Sequence, residues 1–473
     1  MRSYPLTPSP EEFAQVGAAA ILLTYRLIFS VFPELVTRMP NRVATGFIFV
    51  IAGMMCIPKN QTIHRIAKQL GLASHDTLER VVMEESWTVA NIMAALITHT
   101  LTCSTGTPFM GYLILDDVII PKRYAKKLAY AYWDYDYVNR KKIRCMRVVL
   151  LLWTNGYIKL PVGYALWHKK NSAFLTQRGL DYRTKNELAM ELVTKAVERH
   201  IQFEYLTFDS WYASRANLRY LHNDLHIKFV TALKCTTNIR FVIDAEPEGK
   251  IKGDYSIGYD TLQCQMLAER FPVTRCHPYK QIDARARGFS ISFRYVSDQL
   301  RLVLVRNYAR SRYLRGIVEG KKKRHPHKYI LTNMANLTVV EIVQRYRARW
   351  AIETFFRDIK QHVGLGRLKG RTVEHAERHI ALVLFAYVCL ELTKDAFATS
   401  HLPENKMTIG DVKLALSMHF VQCSKTEAGI QVKPLSPMTR ETFEQIQYRL
   451  KEGCPDNLLL EEILYSREIQ DSA

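Results

Sequence analysis

The chain has 473 residues, 48% of them apolar and 11% aromatic, so it can bury sizeable cores spread over roughly two to four structural units. Lysine and arginine total 66 against 45 acidic residues, a formal charge of +21 that points to a polyanionic partner, nucleic acid first and an anionic membrane second. Nine scattered cysteines, an odd number with no CxxC pair, argue against a disulfide framework and a zinc module, and they fit a reducing cytoplasm. A ribosome-associated or merely basic soluble protein satisfies the same charge.

The opening MRSYPLTPSPEEF lacks the basic-then-apolar pattern of a secretory signal. The most apolar early stretch, Ala44 to Pro58, is short of the roughly 20 residues that span a bilayer, so a buried helix is expected there. Residues 1–105 read as a helical N-terminal DNA-binding region, with apolar residues at helical spacing through Phe13 to Val36 and Ala44 to Cys56. Within it, Thr62 to Val82 reads as two short helices around Gly71, with Ser74 placed to cap the second. That pattern suggests a helix-turn-helix, although plain helical packing units look alike.

From Gly111 the period changes. Gly111 to Leu115 reads as a buried strand that ends in Asp116 and Asp117. Ile143–Thr154 and Ile158–Trp167 read as strands joined by an Asn155-Gly156 turn. A helix over Leu188–Ile201 leads into a fourth strand, Tyr205–Phe208, that ends at Asp209. Trp211 to Leu225 reads as helix and Ile227 to Leu233 as a fifth strand. The first and fourth strands are neighbours in a ribonuclease-H-like sheet, so residues 106–234 read as the first part of such an α/β core, a mixed sheet with helices on both faces. Residues 235–334 read as a β-rich insertion that includes Phe289–Phe293, Leu302–Val305 and the basic run Lys321–Arg324 between His325 and His327. That run is read as a solvated loop tip or a phosphate-facing loop. Helices over Thr338–Gln361 and His379–Leu392 place the second part of the core at 335–400. Residues 401–473 read as a helical tail.

The densest chemistry lies in Tyr346 to Lys360. At about 100° per residue, Tyr346, Arg349, Glu353 and Lys360 share about a 60° arc of one helix face. Alone, Arg349 and Glu353 amount to an ordinary i,i+4 pair. Together with Asp116 and Asp209, however, Glu353 completes three carboxylates. That number suffices for the hard divalent cations that serve phosphodiester chemistry.

The spacing Tyr346-x2-Arg349-x3-Glu353-x6-Lys360 matches in full the Y-R-E-K signature of the DDE transposases of the insertion-sequence-four family. Leu-Ile-Leu-Asp116-Asp117 resembles that family's first-aspartate strand, and Leu-Thr-Phe-Asp209-Ser-Trp-Tyr212 its second. The resemblance covers about residues 40–395. It implies that Asp116, Asp209 and Glu353 ligate two Mg2+ ions, with Mn2+ able to substitute. It implies that Tyr346, Arg349 and Lys360 hold the terminal phosphate of a DNA end. Asp117 is left as a neighbour of the ligands or a turn residue. Where relatives often carry Thr or Ser two places after the first aspartate, this chain has Val118. The implied activity is cut-and-paste DNA transposition by a homodimer. Its DNA partners are terminal inverted repeats and target DNA, and it acts in the cytoplasm at the nucleoid, away from membranes. A nuclease without strand transfer or a domesticated DNA-binding protein is the alternative. Lesser candidates are His168 with Lys169 and Lys170, which could touch DNA, and Trp211 and Tyr212, expected in the core. Asp134 and Asp136 are expected in a loop.

Overall fold

The computed structural model of the chain describes residues 19–57, 61–70, 73–106 and 110–234, the last with breaks at 123–127, 129, 137–138 and 171. It further describes the strands between 240 and 307, residues 327–418 with breaks at 368–369, 371 and 399–406, and a hairpin within 421–434.

Among the described residues six helices come first: α1 (Ala19–Val31), α2 (Pro33–Thr37), α3 (Asn41–Cys56), α4 (Ile63–Leu70), α5 (His75–Met83) and α6 (Val89–Gly106). The apolar stretch that is too short for a bilayer is α3, buried on nearly every side. Its glycines let neighbours close in: a Cβ on Gly46 would lie 2.6 Å from Val81 of α5, and one on Gly53 2.5 Å from Ile66 of α4. Ser74 caps α5 as expected, its hydroxyl accepting from the Thr77 amide at 3.1 Å. Gly71 lies outside the described residues. No helix among the described residues is long and apolar enough to cross a membrane.

Next come β1 (Tyr112–Pro121), β2 (Tyr132–Asp136), β3 (Lys141–Thr154), β4 (Lys159–Trp167), α7 (Ala173–Arg178), α8 (Lys185–Glu198) and β5 (Leu206–Phe208). They are followed by α9 (Arg215–Arg219), which runs on as a π turn over Tyr220–Asp224, and by β6 (Phe229–Leu233). β1 runs past its expected end because β3 pairs with its whole length, from Tyr112↔Thr154 to Pro121↔Cys145. Gly156, at φ 96°, turns β3 into β4. β2 corrects the expectation of a loop: Asp134 and Asp136 sit in a strand, paired with Ile143 and Lys141 of β3.

The β-rich stretch contributes β7 (Arg240–Ile243), β8 (Tyr255–Ser256), β9 (Thr274–Cys276), β10 (Ala284–Ser292), β11 (Leu300–Asn307) and β12 (His327–Thr332). Its strands extend the core sheet, in the order β2-β3-β1-β5-β6-β12-β11-β10-β7-β8. β1, β5 and β6 pair in parallel, and β1 with β3 and β6 with β12 antiparallel. Asn333 locks the β6–β12 join, accepting from the Phe229 amide at 2.7 Å and donating to the Ile227 carbonyl at 2.8 Å. The run Lys321–Arg324 and His325 lie outside the described residues.

After the sheet come α10 (Val339–Ala348), α11 (Trp350–Asp358) with a π turn over Ile359–Val363, α12 (Val373–Ala398) and α13 (Ile409–Met418). In the tail, expected to be helical, the chain after α13 forms a hairpin of β13 (Val421–Thr426) and β14 (Gly429–Pro434). α12 is the axis of the packing, with Ile380 to Leu390 buried without interruption. Adjacent residues of β4 show helices on both faces of the sheet. A Cβ on Gly163 would meet Leu192 of α8 at 3.0 Å, while the Tyr164 hydroxyl donates to the Glu377 carbonyl of α12 at 2.8 Å. The N-terminal helices do not stand apart, because Phe47, Leu115, Leu151 and Phe385 belong to one hydrophobic cluster. Arg378 of α12 reinforces the join by donating to the carbonyls of Val82, Glu84 and Trp87, a cation at the C-terminal end of α5. The result is the mixed, helix-flanked sheet of a ribonuclease-H-like fold.

Candidate active site

The register between parallel β1 and β5 ends at Leu115↔Phe208, and the next residues are Asp116 and Asp209. Adjacent strands run about 4.8 Å apart, so the pairing delivers two carboxylates side by side. Asp209 is near enough to raise the Asp116 carboxyl and to act on the Arg349 guanidinium.

Glu353 arrives on α11. A capping box starts the preceding α10: the Thr338 hydroxyl accepts from the Glu341 amide, and the Glu341 carboxylate accepts from the Thr338 amide at 2.8 Å. Arg349, between the two helices, keeps helical angles (φ −53°, ψ −27°), so α10 and α11 form one run. Its Nη1 donates to Asp116 Oδ2 at 2.8 Å and its Nη2 to Glu353 Oε1. One guanidinium thus joins acids from opposite halves of the chain. Asp116 Oδ1 accepts from the Asp117 amide at 2.8 Å. Burial pushes the Asp116 carboxyl up to about 7, with Arg349 opposing the shift and Asp117 and Asp209 adding to it.

Hard oxygen donors of this kind suit a magnesium-like ion. Among the described residues, however, no group of three His, Cys, Asp or Glu stands arranged to hold a metal. Arg349 lies between two of the candidate ligands.

Asp117 points to the other face of β1, as strand alternation requires. Its Oδ1 accepts from Lys185 Nζ and the Tyr212 hydroxyl, both at 2.9 Å, and its Oδ2 from Arg147 Nη1 at 2.7 Å. Arg147 also donates to Asp134 Oδ2 at 2.6 Å. Burial disfavours the Asp117 charge, but Lys185 and Arg147 outweigh it and hold the carboxyl below its ordinary value. Asp117 is therefore consumed by an internal network, while Asp116 shares a face with Glu353. Sequence reasoning missed Arg147 and Lys185, and placed Asp134 in a loop rather than in this network. Arg147, a charged residue inside the apolar run Ile143–Thr154, was the available signal.

Tyr346 is buried, with Lys328 Nζ 4.4 Å from its ring centroid. Among the described residues its hydroxyl has no hydrogen-bond partner of ordinary geometry, although it feels the Arg349 guanidinium. Lys360 falls on the π turn and is exposed. Partial desolvation holds its ammonium below the ordinary value, with Asp136 on β2 opposing the shift. Tyr212 is in the core as expected, but Trp211 is 47% exposed, with Lys185 and Lys234 ammonium groups 4.4 and 4.1 Å from its ring centroid. His168 stacks on Phe174 at 4.3 Å between centroids, and burial pushes its pKa down to about 4. Lys169 reaches back to the Trp133 carbonyl at 3.3 Å, while Lys170 is exposed. Val118 is buried apolar packing.

Residues 34–258 match the family model of the DDE superfamily endonucleases. The match supports a DDE transposase-like family. It spans Asp116 and Asp209 and stops short of Glu353, so the third carboxylate rests on the geometry around Arg349. A domain of this kind supports nuclease- or transposase-like chemistry, for which DNA is the implied substrate and divalent metals the usual cofactors. No curated protein matches the chain.

Proposed function

We propose that this chain is an insertion-sequence transposase that cleaves DNA at transposon ends and joins the freed ends to target DNA. The observation that carries the reading is the Arg349 bridge between Asp116 and Glu353, beside Asp209 at the end of the neighbouring strand. In this reading Asp116, Asp209 and Glu353 hold two divalent cations, Mg2+ or Mn2+. Such ions activate an attacking oxygen and stabilise a leaving one. The chain's own residues position the substrate. Arg349 and the buried Tyr346 present a cation and a hydroxyl where a strand phosphate would approach, and exposed Lys360 adds charge further along. The surplus of 21 positive charges favours capture of duplex DNA, including inverted repeats. A homodimer acting at the nucleoid completes the reading.

Glu353→Gln tests it. The variant is expected to shift a DNA fragment on a gel as the wild type does, while Mg2+-dependent cleavage falls by about a hundredfold or more, about 2.7 kcal/mol of barrier. Wild-type cutting by that variant removes Glu353 from the site. A strand-transfer assay separates the two remaining activities, since cleavage without joining identifies a nuclease.

A further inference from the structure

Arg349 occupies the space that a shared cation needs. Its two Nη atoms bond Oδ2 of Asp116 and Oε1 of Glu353. The Asp117 amide takes the other Asp116 oxygen. Asp209 adds a third negative charge that favours the guanidinium. All three bonded side chains are sheltered, with 14% of Arg349, 20% of Asp116 and 34% of Glu353 exposed, so the pairing is less screened than at an open surface. With the guanidinium between them, the acids beside β1 present no ready metal-ligating group among the described residues.

We infer that Arg349 competes with the divalent cation for Asp116 and Glu353, acting as an internal counter-ion that leaves when the metal enters. The inference rests on the reading of those acids as metal ligands. A guanidinium places one positive charge between two carboxylates, and a divalent cation at the same position places two. The two cannot both bond Asp116 Oδ2 and Glu353 Oε1 with full strength, so each weakens the other's hold by the same factor. Removing the guanidinium therefore tightens metal binding, although a residue that merely supported the ligands would loosen it when removed.

The test is a calorimetric titration of the full chain with Mn2+ alone, without DNA, for wild type, Arg349→Gln and Glu353→Gln. Arg349→Gln is expected to bind Mn2+ tighter by about five- to a hundredfold, the usual span of a coupling between two sites. Glu353→Gln is expected to bind it weaker. Arg349→Lys, which keeps a charge but lacks the two-pronged reach, gives an intermediate gain and serves if the glutamine variant does not fold. Weaker or unchanged binding in the Arg349 variants, with the Glu353 loss intact, overturns the competition and leaves the metal site standing. Unchanged binding in Glu353→Gln removes the metal-site reading itself.

Discussion

Asp117→Asn separates the internal network from the carboxylates beside Arg349. The substitution keeps the shape of the side chain and removes the charge that Arg147 and Lys185 share. All three side chains are close to fully buried, with 9% of Asp117 and 11% of each cation exposed. Removing one member of a buried pair costs about 3–5 kcal/mol, because the remaining charge has been taken out of water without compensation. Here Arg147 retains Asp134 at 2.6 Å, while Lys185 keeps the rings of Trp211 and Tyr212, 4.4 and 6.0 Å from their centroids. The lower end, about 3 kcal/mol, is therefore expected. Urea denaturation at pH 7 measures it as a fall in midpoint at unchanged slope. The pH dependence has a definite sign. The folded pKa of Asp117 lies below its ordinary value, so its stabilisation is present above about pH 3.9 and is lost as the pH falls through the lower folded value. The gap between wild type and variant should narrow in acid. A loss at pH 7 under about 1 kcal/mol, the range of an exposed pair, would refute the claim that these charges act as a buried unit.

Two other outcomes follow from the same structure. His379 is buried and pushed down to about 3 by desolvation, with Lys122 adding to the shift. Below about pH 6.5 the unfolded chain takes a proton that the native state refuses, so wild-type stability falls faster with acid than that of His379→Asn, by up to about 1.4 kcal/mol per pH unit; equal slopes in urea melts from pH 7 to 5 would contradict the neutral buried imidazole. In Gly111→Ala the new Cβ would lie 2.6 Å from Nε1 of Trp153, a fully buried ring fixed by its bond to the Gln202 carbonyl at 2.9 Å. Overpacking of that kind costs about 1–3 kcal/mol, and an unshifted denaturation midpoint would mean that the ring moves freely.

The parts of the fold that sequence reading reached share a strong local signal. Ile143–Thr154 and Ile158–Trp167 carry long apolar runs around an Asn-Gly turn, and β3 and β4 form there. The parts it missed depend on partners far along the chain. Tyr132–Asp136 mixes aromatics with two acids and has no apolar alternation. It becomes a strand because β3 offers an edge and because Arg147, across the sheet, neutralises Asp134. The length of β1 was likewise misjudged, since Asp116 and Asp117 look like the end of a run. β3 continues the pairing through both. In the same way the N-terminal helices read as a separate unit. Their apolar faces give no hint that α12, more than 260 residues downstream of Gly106, is what they surround.

The choice between adjacent aspartates shows why a site is harder to read than a strand. Composition and spacing treat Asp116 and Asp117 alike, and strand alternation says only that they face opposite sides of the sheet. What each side holds is decided by segments distant in sequence. On one face, α10 and α11 bring Arg349 and Glu353 to Asp116. On the other, β3 and α8 bring Arg147 and Lys185 to Asp117, with Tyr212 alongside. The electrostatic result is opposite for the two neighbours: burial dominates at Asp116 and raises its pKa, while paired cations dominate at Asp117 and lower it. A carboxylate already saturated by three internal donors has little left to offer a ligand. Asp116, restrained chiefly by the single guanidinium of Arg349, is the one of the two that the proposed metal site can use.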